Sequence, residues 1–156
     1  VIRTKYKKEE PAMYGIKQIS VFLENKEGRL AKVTKILAQE KINIRALCVA
    51  DTADFGILRL IVNRPDAACA FLKKAGFAVT ITEVIAVKMA DSPGSLSDFL
   101  QVLRECGVNL EYMYAFGGVA KGSAINVIRV DRVSEVFGLL LEKGVALLSE
   151  EEVYEL

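Results

Sequence analysis

Histidine is absent from this chain. That excludes a Ser-His or Cys-His nucleophile pair, a histidine general base and every histidine-containing metal site. Cysteine is scarce, with Cys48, Cys69 and Cys106 the whole set. The number is odd and no two are close in sequence, so neither a disulfide framework nor a CxxC metal knuckle is present. All three sit in apolar patterns, which predicts buried free thiols and fits a reducing cytoplasm. No apolar run approaches the roughly 20 residues that span a bilayer. Val1 to Glu10 is polar and carries no signal-peptide hydrophobic segment. Neither sign of charge dominates: 21 basic and 20 acidic residues leave a formal net charge of +1. That balance gives no electrostatic reason to expect nucleic acid or an anionic membrane as a partner.

What is present is apolar and periodic. Of the 156 residues, 52% are apolar and 26% charged, which is globular and not disordered. The length suits one ordinary domain or two small ones. Asn25-Lys26-Glu27-Gly28-Arg29-Leu30 returns as Asp91-Ser92-Pro93-Gly94-Ser95-Leu96, 66 residues later. Asn43 and Asn109 keep that offset, and so do Gly56 and Gly122. Four landmarks at one spacing indicate an internal duplication.

Within the first repeat, Ile19, Val21 and Leu23 alternate as a strand does. After the Gly28 turn, Leu30, Val33 and Leu37 recur at helical spacing. Ile42 to Val49 and Ile57 to Val62 read as two strands around an Asp51–Gly56 turn. Pro65 opens a second helix, Gly76 ends it, and Phe77 to Thr82 is a fourth strand. The second repeat follows the same order. Val84 to Met89 is a strand, and Leu96, Phe99, Val102 and Leu103 line a helix. Val108-Asn109-Leu110 opens the next strand, and Gly122 the one after. Val133 to Leu141 is an amphipathic helix, stopped by Gly144, and Val145 to Leu148 is the last strand. Glu150 to Leu156 reads as an acidic tail. No Pro/Gly/Ser-rich linker separates the repeats.

The expected fold class is α+β. It consists of two ferredoxin-like βαββαβ units, each a four-stranded antiparallel sheet in spatial order 4-1-3-2 with both helices on one face. The expected boundaries are 1–14 for an N-terminal extension, 15–82 and 83–150 for the two units, and 151–156 for the tail. In each unit the second strand is an edge that invites pairing with another unit.

Each glycine turn lies between the carboxyl end of a strand and a helix N-terminus. Such a terminus carries unpaired N–H groups and partial positive charge, and glycine lets a ligand approach closely. A small carboxylate suits that place. Asn25 adds an amide, whereas Asp91 can only accept and favours an ammonium or a metal. The plainer reading is turn chemistry, with Asn25 a helix cap. Asn43 and Asn109 open their strands at the end of the sheet away from the turn. Edge-to-edge pairing of two units would bring Gly28 to Asn109 and Gly94 to Asn43. Pairing between chains would bring Gly28 to Asn43 of another subunit.

The βαββαβ order, the Asn-x-x-Gly-x-Leu turn and the following Ile-Asn-Ile resemble the ACT domain, an amino-acid-binding regulatory module. The second turn and Val108-Asn109-Leu110 resemble it equally. The resemblance implies a stand-alone tandem ACT protein that binds a free amino acid between units. It implies ligand-binding roles for Asn25, Gly28, Arg29, Leu30 and Asn43, and for Asp91, Gly94, Ser95, Leu96 and Asn109. Glu27 stands where the family often has proline. Leu23 and Met89 stand where serine-binding members carry histidine.

Other features have plainer readings. Tyr112, Tyr114 and Phe116 alternate along a strand and are expected in a core or subunit interface. The segment from Gly117 to Gly122 joins two strands and reads as a hairpin loop, not a phosphate loop. Ser92 or Ser95 is expected as a helix cap, since no histidine activates either. The expected function is a non-catalytic sensor with no cofactor or metal, homodimeric, and able to act on a regulated enzyme. The alternatives are a dimerisation scaffold without ligand and a small enzyme on the same fold.

Overall fold

The computed structural model describes residues 15–51, 54–116 and 122–156. The expected N-terminal extension therefore lies outside the described residues. So do most of the Gly117–Gly122 loop and the middle of the Asp51–Gly56 turn.

The elements run β1 (Ile16–Glu24), α1 (Arg29–Gln39), β2 (Ile44–Asp51), β3 (Phe55–Val62), α2 (Pro65–Lys74) and β4 (Ala78–Ala90). They continue with α3 (Ser95–Glu105), β5 (Leu110–Ala115), β6 (Ser123–Val130), α4 (Val133–Glu142), β7 (Ala146–Leu148) and α5 (Glu150–Tyr154). The fold is α+β with antiparallel pairing throughout the described ladders. Strands neighbour one another in the order β2-β3-β1-β4-β6-β5, with β7 also on β4.

The two strands expected at 77–82 and 84–89 are one, β4. Its first part, Ala78 to Val84, pairs with β1, and its second, Ile85 to Ala90, pairs with β6. No glycine or proline interrupts this run, so nothing in it breaks the extended backbone. Each half still keeps the expected order 4-1-3-2, with β4 serving as last strand of one and first strand of the other.

Alternation along the strands builds three cores. Ile19, Val21, Leu58 and Leu60 face α1 and α2, where Val33, Leu37, Ala68 and Leu72 meet them. Ile85, Val87, Ile128 and Val130 face α3 and α4 in the same way. The third core contains no residue of those four helices. It joins Ile16 and Ile61 of the first half to Tyr114, Phe116, Ile125 and Val127 of the second. The helix-free faces of the two halves therefore cover each other, which removes their apolar side chains from water. Tyr114 and Phe116 are buried in this seam, and Tyr112 partly so.

The edge-to-edge pairing of β2 with β5 within the chain does not form, because no ladder joins these strands among the described residues. Each remains an edge. Face-to-face packing buries whole rows of apolar side chains, whereas an edge pairing would have left both helix-free faces wet.

One polar cluster crosses the seam. Gln18 is 0% exposed. Its Nε2 lies 2.7 Å from Tyr112 Oη and 3.1 Å from Thr82 Oγ1. The Tyr114 hydroxyl donates to Gln18 Oε1 at 2.7 Å. Burial pushes the Tyr114 hydroxyl's pKa well up, so it remains a donor. The Arg59 guanidinium sits 3.8 Å over the Tyr112 ring.

The acidic stretch is not a free tail. Residues 150–154 form α5, opened by a capping box in which Glu152 N–H donates to Ser149 Oγ and Ser149 N–H donates to Glu152 Oε2. Val153 is 0% exposed and belongs to the seam core. Arg45 Nε and Nη2 donate to the Tyr154 carbonyl at 3.0 and 2.8 Å. A sequence reading that sees only the acidic residues misses the Val153-Tyr154 pair that anchors them.

The cysteines are all free thiols; Cys69 is buried, while Cys48 and Cys106 are half-buried.

Candidate functional site

β1 ends at Glu24, and the chain turns at once. Asn25 N–H donates to Asp54 O at 3.1 Å, and Lys26 N–H to Glu24 O at 2.8 Å. Gly28 then takes φ +79°, the left-handed region, and α1 begins. Gly94 does the same with φ +97° before α3. A Cβ at either glycine would meet nothing within 4 Å, so backbone strain is the whole cost of adding one. Gly28→Ala is expected to lose about 1 kcal/mol of stability, read as a lower urea midpoint at constant slope.

Neither helix start has a side-chain cap. Asn25 is thus not the cap of α1. Ser92 and Ser95 are not caps of α3 either, for their hydroxyls bond each other at 2.9 Å. Arg29 N–H and Ser95 N–H donate back to the Lys26 and Ser92 carbonyls at 3.3 Å, and the amides that follow them at each start are left for solvent or a ligand.

A cavity of about 170 Å³ opens at the first turn. Leu23 and Glu24 line it from β1, Asn25 and Lys26 from the turn, and Arg29 and Leu30 from α1. Val49 of β2 and Gly56 of β3 complete the wall. All of these belong to the first half of the chain.

Charge in this cavity is mixed. Lys26 Nζ lies 2.8 Å from Glu24 Oε2, and Arg29 Nη2 lies 4.0 Å from Glu24 Oε1. The hydrogen bond and charge of Lys26, with Arg29 adding to them, hold the Glu24 carboxyl below the usual glutamate range. Both pairs are exposed and contribute little to stability. The Arg29 guanidinium sits 5.3 Å over the Phe77 ring, and its Nε is buried without a hydrogen-bond partner.

The structure gathers Asn25, Arg29 and Leu30 around one cavity beside Gly28. It places Asp91, Gly94, Ser95 and Leu96 at the equivalent turn of the second half. Asn43 and Asn109 lie elsewhere. Glu24 pairs with Phe55 at one end of β3, while Ile44 pairs with Val62 at the other. That separates Asn43 from the Gly28 turn by about 23 Å of strand. Asn43 N–H donates to Asn63 Oδ1, and Asn63 N–H returns a bond to Asn43 O. Asn43 and Asn109 are both exposed.

Sequence reasoning missed Leu23, Glu24, Lys26, Val49 and Gly56 as lining residues. Glu24 and Lys26 flank Asn25 with opposite charges, which was a visible signal. Val49 and Gly56 come close only through the register of β1, β3 and β2.

A family model described as an ACT domain pair matches residues 14–156. The chain belongs to this family. A solved structure of a protein from Bacteroides thetaiotaomicron is 45% identical to it, with a TM-score of 0.86. That match covers 92% of this chain and 98% of the other. The regulatory subunit of aspartate kinase from Thermus thermophilus shares 15% identity at a TM-score of 0.61, covering 83% and 92% of the two chains. The Thermus flavus regulatory subunit shares 15% identity at 0.60, covering 82% and 89%. At that identity the two likenesses speak for the fold alone. No curated protein matches.

An ACT domain pair is a regulatory, ligand-binding architecture. Among the described residues there is no cluster of three or more metal-binding side chains. None of their helices is long and apolar enough to cross a membrane.

Proposed function

We propose that this ACT domain pair is a non-catalytic sensor of a free amino acid. The observation that carries this reading is the cavity at the first turn. Its wall carries both signs of charge and apolar side chains, and it opens beside a left-handed glycine and an uncapped helix start. Carboxylate, ammonium and a modest side chain each find a complement there. We assign Asn25, Gly28, Arg29 and Leu30 to this site; Asp91, Gly94, Ser95 and Leu96 hold the equivalent positions of the second half.

The unpaired edges β2 and β5 support a homodimer joined through them. Leu47 and Val49 are 48% and 45% exposed on β2, beside the cavity. In such a dimer Asn43 or Asn109 would come from the second chain to complete a turn site. Ligand would then favour one arrangement of the two chains, which could be read by a regulated enzyme. The three free thiols fit a cytoplasmic setting.

Calorimetric titration of the twenty amino acids tests this. At least one should bind, and at a hundred times its Kd it should stabilise the fold by about 2.7 kcal/mol. No heat and no thermal shift with any of them would leave the dimerisation scaffold as the better reading.

A further inference from the structure

The first turn carries a pair of opposite charges that the second turn lacks. Glu24 and Arg29 both line the cavity, 4.0 Å apart at their nearest atoms. The only other charge on the wall is Lys26, which already pairs with Glu24 in an exposed contact. A ligand's ammonium can replace such a contact at little cost. Arg29 is held more loosely: its Nη2 lies 4.0 Å from Glu24 Oε1, beyond hydrogen-bond reach, and its side chain is 35% exposed, so the guanidinium can take an acceptor. Leu23, Leu30 and Val49 form the apolar remainder of the wall.

Sixty-six residues later, alanine (Ala90) stands for Glu24 and serine (Ser95) for Arg29. Serine (Ser92) also stands for Lys26. The second turn keeps acidic Asp91 and Asp98 nearby and has no cation between them. From Ala90 to Asp98 no side chain is cationic, so none in that stretch can neutralise a carboxylate. The duplication holds the backbone of the two turns alike, down to the left-handed glycine, so the difference is one of charge.

We infer that each chain binds one zwitterionic amino acid, in the first half only. Its α-carboxylate sits on Arg29 and its α-ammonium on Glu24. This deepens the amino-acid reading above and rests on it. The side chain faces Leu23, Leu30 and Val49, which suits a small apolar group. A simple carboxylate or a simple amine satisfies one member of the charge pair and leaves the other uncompensated.

Isothermal titration of the full chain tests the assignment. The probes are the twenty amino acids, then propionate and ethylamine. The variants are Glu24→Ala and Arg29→Ser, which copy the second half, with Arg132→Ser, the exposed residue that precedes α4, as a charge control. One site per chain is expected. Each cavity variant should weaken binding about tenfold to a hundredfold, the scale of a hydrogen bond to a charged group. The control should match wild type, and propionate and ethylamine should bind far more weakly than the amino acid. Thermal unfolding of each variant establishes that it is folded. Two equivalent sites per chain, or undiminished binding in Arg29→Ser, would overturn the assignment and leave the amino-acid reading standing. Propionate or ethylamine binding as tightly as the amino acid would do the same. No heat with any amino acid would remove the broader reading, and this one with it.

Discussion

Gln18→Leu should destabilise the protein by about 3 kcal/mol, although leucine is close in size and more apolar. The reason is what it leaves behind. Tyr114 donates to the Gln18 carbonyl, and the Gln18 amide donates to Tyr112 and Thr82. With the amide gone, the Tyr114 hydroxyl is a buried donor without an acceptor, and Tyr112 and Thr82 lose their donor. Stranded polar groups cost about 1–3 kcal/mol each, far more than a satisfied bond contributes. The same logic predicts a rescue. Gln18→Leu combined with Tyr112→Phe and Tyr114→Phe removes the two tyrosine partners as well, leaves only the half-buried Thr82 hydroxyl of the three, and should recover most of the loss. The ring under Arg59 survives in that variant, so the cation–π contact is kept. Urea unfolding of the single and triple variants measures both effects. A single variant within about 0.5 kcal/mol of wild type would mean that the network does not hold the seam.

Val153→Asp should cost about 3 kcal/mol, which no free tail could do. Val153 is 0% exposed among seam residues of both halves. An aspartate there either buries an unpaired carboxylate or forces α5 off the seam. The first is costly by desolvation. The second exposes apolar surface and gives up the two Arg45 bonds to the Tyr154 carbonyl. The observed loss will be the smaller of the two. Glu151→Ala, on the exposed side of the same helix, should change stability by less than about 0.5 kcal/mol. Equal, negligible losses in both variants, measured by urea unfolding, would contradict the docked helix.

Both predictions concern residues that periodicity does not single out. Gln18 sits on the face of β1 opposite Ile19 and Val21, one residue before the apolar alternation begins. A comparison of the repeats could have raised it, since Gln18 is matched by Val84 at the 66-residue offset. Arg59 is likewise matched by Ile125. The seam is thus polar on one side where its duplicate is apolar on the other. The candidate site follows the same pattern. Its turn, glycine and helix start were legible as local chemistry. Glu24 was legible as a charge, though not as a wall. Only an edge pairing of the two units would bring Asn43 to a turn, and the strand register places it at the far end of the sheet.

Local physics accounts for the part that the sequence determined. Alternation, helical spacing and glycine or proline punctuation act over a few residues, so they set the order of elements and the 4-1-3-2 sheets. The 66-residue repeat made the duplication evident without any coordinates. Three things waited for the tertiary structure: the continuity of β4, the seam between the helix-free faces, and the docking of α5. Each depends on which apolar faces find one another, and contacts between residues 18 and 114, or 45 and 154, leave no periodic trace in the chain. The charge pair at the Gly28 turn belongs to both accounts. Its residues are written in the sequence, but only the fold shows that they share a cavity.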